Sequence, residues 1–151
     1  MTFLLSISNI ACIYPIDISL IKKDYTTLFC ILSVAFFSVT SHLLENFRYE
    51  QFITNYTENI LHGYYNILNK CDIWAALILS FRIIYLIHIY NVDYLNIFIY
   101  MYPLIFLLAS TFIRESHFTT FEILHSFWHF NIFLNIGLLL NHIYDNDGEI
   151  N

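Results

Sequence analysis

The chain has 151 residues, of which 58% are hydrophobic and only 12% charged, with a formal net charge of −6 and a mean hydropathy of +0.61. Soluble domains carry about 25% charged residues, so this composition excludes an ordinary water-soluble globule. The absence of a basic patch argues against a nucleic-acid-binding surface, and three Gly and two Pro are too few for a turn-rich β-barrel or a disordered linker.

The apolar residues run in long blocks. A membrane span needs about 20 mostly apolar residues, and an open sheet edge cannot satisfy its backbone in lipid. The sequence therefore predicts an all-α, multi-pass integral membrane protein: one polytopic domain over 1–151 with about five transmembrane helices. The first span runs from about Phe3 to Ile21. It has no basic leader and no small-residue cleavage site, and it carries Asp17, so it reads as a span rather than a signal peptide. Lys22, Lys23 and Asp24 form a short loop before the second span, Tyr25 to Leu44. A long polar connection follows from Glu45 to Lys70, with Arg48, Glu50, Glu58 and the glycosylation sequon Asn55-Tyr-Thr57.

The third span is placed from near Cys71 to about Tyr90. Arg82 falls inside it, where a charge is expensive unless it finds a partner; the alternative is a helix from near Gly63 to near Phe81. Asn91 and Asp93 break the chain before a fourth span ending near Ile113. Arg114, Glu115, Ser116 and His117 lead into the fifth, from about Phe118 to Ile143. Five spans place the termini on opposite faces. Lys and Arg are nearly balanced between the faces, so they do not orient the protein; a glycan at Asn55 would make that face luminal. Cys12, Cys30 and Cys71 form no CxxC pair and read as apolar fillers or free thiols.

Polar groups inside spans are functional candidates by default. The fifth span contains His125-Ser-Phe-Trp-His129. Residues four apart share a helix face, and two imidazoles so placed can bind one metal. Ser38 and His42 are also four apart, at the end of the second span, and Asp72 opens the third. Each has a plainer reading: a serine bonded back to its own helix, a histidine at the interface, an aspartate at a helix start. Helix direction gathers them, because His42, Asp72, His125 and His129 all fall toward the same face. Three histidines and a carboxylate at one depth suit a zinc site with three ligands and one open position.

These residues resemble the superfamily that joins alkaline ceramidases, progestin and adipoQ receptors, and the transmembrane protein 8 (myomaker) group. The pattern is Ser-x-x-x-His in the second span, Asp in the third, and His-x-x-x-His in the last. Here these are Ser38 with His42, Asp72, and His125 with His129. The string His-Ser-Phe-Trp-His and the long stretch between His42 and Asp72 look most like the transmembrane protein 8 branch. The motifs span about residues 38 to 129. Members of the superfamily generally have seven spans, so this chain resembles a shortened form of that fold, with one helix between Asp72 and His125 where relatives have three. Losing two helices preserves chain direction. Ser41 stands where many relatives have an aromatic before the histidine.

The resemblance implies that His42, His125 and His129 hold Zn²⁺, that Asp72 is the general base and acid, and that Ser38 bonds the attacking water or the oxyanion. The implied activity is hydrolysis of an amide or ester bond in a membrane lipid. The alternatives from the same superfamily are a non-enzymatic membrane-remodelling protein, a receptor-like protein, or an inactive shortened copy. His62, His88, His117 and His142 fall outside the pattern, and Trp74 and Trp128 read as packing or interface aromatics. Glu122, three residues before His125, reads as a carboxylate that could hydrogen-bond and orient that imidazole or, more simply, as a residue of the first helical turn.

Overall fold

The computed structural model describes residues 7–49, 55–92, 102–113 and 118–146. Among these residues every element is helical. A 3-10 turn, Asn9–Cys12, runs into α1 (Ile13–Ile21). It is followed by α2 (Tyr25–Tyr49), α3 (Asn55–Ile89), α4 (Leu104–Ile113) and α5 (Phe118–Asn146). Three stretches are long and apolar enough to cross a membrane: Tyr25–Leu44, Gly63–Ile89 and Thr120–Asp145. The expected first and fourth spans appear as shorter apolar helices, α1 with its leading turn and α4. Residues 3–6 and 93–101, which complete those expected spans, lie outside the described residues, as does the loop 114–117.

Two expectations are corrected. The polar connection Glu45–Lys70 is largely helical, since α2 continues to Tyr49 and α3 begins at Asn55. The physical reason is spacing: Ile60, Tyr64, Ile67, Leu68 and Cys71 recur at intervals of three and four, and only Gly63 weakens the run. The third apolar stretch accordingly starts at Gly63 and ends at Ile89, combining the start of one expected register with the end of the other.

Arg82 stays within that stretch because it is paired. Its Nη2 donates to both Asp24 carboxylate oxygens, at 3.0 and 2.9 Å, and its Nε donates to Thr27 Oγ1 at 3.0 Å. Asp24 also accepts from the Tyr144 hydroxyl and caps α2 by accepting from the Thr27 amide at 3.1 Å. One carboxylate thus joins α2, α3 and α5 at one end of the bundle.

Within the bundle, α2 packs along α3 and α4 packs on α5, while α1 and its leading turn contact both α2 and α5. The apolar core draws Ile18 from α1, Ile31 and Val34 from α2, Leu79 and Leu86 from α3, and Phe133 and Leu140 from α5. The surface is conspicuously apolar: Phe29, Phe36, Trp74 and Phe81 are exposed, and Phe112 is 86% exposed. Thr27, Ser38, Ser41, Ser110 and His129 are buried. Large exposed apolar faces around a partly polar interior are compatible with an integral membrane protein.

Candidate metal centre

His42 lies on α2, one turn beyond Ser38, and His125 and His129 lie one turn apart on α5. Backbone contact is extensive between α2 and α3 and between α4 and α5, and side chains bring α2 and α5 together here. His42 Nε2 is 3.1 Å from His129 Nε2. Ring centroids are 5.4 Å apart for His42 and His125, 5.1 Å for His42 and His129, and 4.9 Å for His125 and His129. One ligand nitrogen from each ring lies within 4.8 Å of the other two, so the three can hold a metal ion. His42 and His129 are buried and His125 is half-buried.

Two further predicted residues lie in the same region of the bundle. Asp72, half-buried on α3, is within electrostatic reach of the His42 imidazole. Ser38 is fully buried, and its Oγ has no hydrogen-bond partner among the described residues. Its neighbours behave otherwise: Ser19, Ser33 and Ser80 each donate to the carbonyl four residues back at 2.8 Å. That back-bond is the usual way a helical serine satisfies itself. A buried hydroxyl that forgoes it, one turn from a histidine cluster, suits a small polar ligand or solvent beside the imidazoles.

The structure adds Phe121 and Ser110 to the surroundings of the cluster, and it sets Trp128, expected as a packing or interface aromatic, against two of the histidines. Trp128 packs on the cluster, with its ring centroid 4.4 Å from that of His129 and 5.1 Å from that of His125. Its indole Nε1 and the Ser126 hydroxyl are buried with no hydrogen-bond partner among the described residues. Phe121 stacks on His125 at 5.0 Å with an interplanar angle of 29°. Ser110 of α4 lies 3.2 Å from His125 Nδ1. The pattern Phe121, His125, Trp128 follows helical spacing and was open to detection. Ser110 was not, because nothing in a local motif ties it to α5.

Glu122 belongs to the second turn of α5 rather than its first, and it is buried on the face shared by Ser126 and His129. His88 is exposed near the end of α3, and His142 lies about 20 Å along α5 from His129. His117 and the side chain of His62 lie outside the described residues. Comparison of this chain with models of known protein families, with curated proteins and with solved structures finds no match.

Proposed function

We propose that this chain is a multi-pass intramembrane zinc-dependent hydrolase acting on an amide or ester bond of a membrane lipid. The observation that carries the reading is the convergence of His42 with His125 and His129 on one buried point, from helices far apart in the sequence. Zinc is the metal that suits an all-imidazole set with a vacant fourth position. The sequence resemblance to the alkaline ceramidase, progestin-adipoQ receptor and transmembrane protein 8 superfamily supports the same ligand set.

Bound there, zinc would lower the pKa of a water to about 7 and so provide a nucleophile at neutral pH. The remaining work falls to the chain. Asp72 would take the proton released as water adds to the lipid carbonyl carbon. Asp72 then returns that proton to the leaving amine or alcohol as the C–N or C–O bond breaks. Ser38 Oγ–H, which is not spent on its own helix, donates to the developing oxyanion. The products are a fatty acid and an amine or alcohol. The apolar outer surface of α2, α3 and α5 keeps the site at the lipid phase where such a substrate resides.

The test presents zinc-loaded protein with lipid amides and esters in mixed micelles. The parent should release fatty acid. Asp72→Asn should retain zinc and lose about 10²–10⁴ in turnover. Hydrolysis by Asp72→Asn at the parent rate would remove Asp72 from its role. A zinc-loaded parent inert toward both bond types would favour the membrane-remodelling reading.

A further inference from the structure

Ser110 lies on α4, the short helix ahead of α5, and is fully buried. Its hydroxyl donates to the Leu107 carbonyl at 2.8 Å, and the same oxygen is 3.2 Å from His125 Nδ1. A hydroxyl carries one proton. With that proton committed to the closer carbonyl, Oγ presents only a lone pair to the imidazole. The hydrogen-bond network therefore assigns the ring hydrogen to Nδ1, with Ser110 Oγ accepting from it. In a neutral imidazole the other nitrogen, Nε2, is then the one with a free lone pair.

We infer that Ser110 is the positioning residue of the metal centre, holding His125 in the tautomer and rotation in which Nε2 is the ligand. The inference rests on the zinc reading proposed above. Two rings hold the plane that Ser110 orients: Phe121 stacks on one side of His125, and Trp128 lies 5.1 Å away at a tilt. Metal-bound histidines almost always donate their second nitrogen to an acceptor, which fixes the tautomer and strengthens the ligand. A serine that is itself anchored to its own helix is such an acceptor. The arrangement also assigns a task to α4. This helix supplies none of the three histidines, yet it packs on α5 and delivers the hydroxyl to the ligand's back side.

The test measures zinc affinity of the full chain in detergent by competition with a chromophoric chelator, together with the visible spectrum of the Co²⁺-loaded protein. Ser110→Ala should weaken zinc binding by about 10–100-fold and shift the Co²⁺ bands, with the melting temperature of the metal-free protein unchanged. Ser110→Thr keeps the hydroxyl and should restore both affinity and spectrum. The Ser110→Val and Ser110→Thr pair repeats the comparison at equal volume, so that a packing defect in the alanine variant leaves the result decisive. Zinc bound by the parent and by Ser110→Ala and Ser110→Val with equal affinity and identical Co²⁺ spectra would overturn the role of Ser110 alone. A folded parent that binds no zinc would overturn the metal site and this inference together.

Discussion

Asp24 shows how much one side chain can hold. It caps α2, receives the Arg82 guanidinium and accepts the Tyr144 hydroxyl. Burial alone would raise its carboxyl. The hydroxyls of Thr27 and Tyr144, the Thr27 amide and Arg82 outweigh that effect and hold it at about 2, below the ordinary 3.8. A lowered folded-state value means that the unfolded chain binds the proton more readily. The stabilisation is therefore complete above about pH 4 and is lost as pH falls toward 2. Melting curves in detergent across that window should show a steeper acid loss for the parent than for Asp24→Asn, which keeps a capping side chain but no charge. Equal slopes would mean the carboxylate is not linked to folding. Arg82→Ala, which strands a partly buried carboxylate, should cost on the order of 3 kcal/mol at neutral pH.

The histidines were legible in the sequence because four-residue spacing is a property of one helix, and helix direction then set their common depth. The partner of Arg82 was not legible. Asp24 reads as a loop charge, and only the packing of α2 on α3 brings it to the guanidinium. Ser110 was hidden for the same reason.

Among the elements, the helix ends follow local chemistry. At the end of α1, Lys23 adopts φ 58°, with Asp24 N bonded to Ser19 O and Lys23 N to Leu20 O. At the end of α3, Asn91 adopts φ 49°, with Val92 N bonded to Ile87 O and Asn91 N to His88 O. Both are Schellman closures. Asn tolerates the left-handed region, so the second break was readable at Asn91; lysine does not advertise the first, which was read from charge instead. The continuation of α3 back to Asn55 escaped a reading that equated polar residues with loop, since Glu is a good helix former and Asn and Tyr are tolerated where packing decides.

Gly137 marks where the first helix docks. A methyl group there would overlap the Tyr14 ring, so α1 lies close against the α5 backbone only because that position lacks a side chain. Gly137→Ala should lower the melting temperature despite its better helix propensity, because overpacking costs about 1–3 kcal/mol. Tyr14→Ala combined with it should recover part of the loss. Independent, additive effects would show that the two residues do not meet.

At the scale of the molecule, polar groups gather at two depths. Ser38, His42, Asp72, His125 and His129 form one group, and Asp24, Thr27, Arg82 and Tyr144 the other. On α2 and on α5 the two are separated by fifteen residues, from Thr27 to His42 and from His129 to Tyr144, or about 22 Å of helix. The second group contains matched donors and acceptors and ties helix ends together. In the first, three imidazoles converge and a buried serine hydroxyl has no partner among the described residues. That contrast separates a bundle fastening from the site at which a metal is proposed.

The most direct test is zinc content by elemental mass spectrometry on detergent-purified full-length protein, beside a His125→Ala, His129→Ala double variant. The expected result is about one zinc per chain in the parent, as a single three-histidine site requires, and its loss in the variant. Zinc retained by the folded variant, or absent from the folded parent, would contradict it.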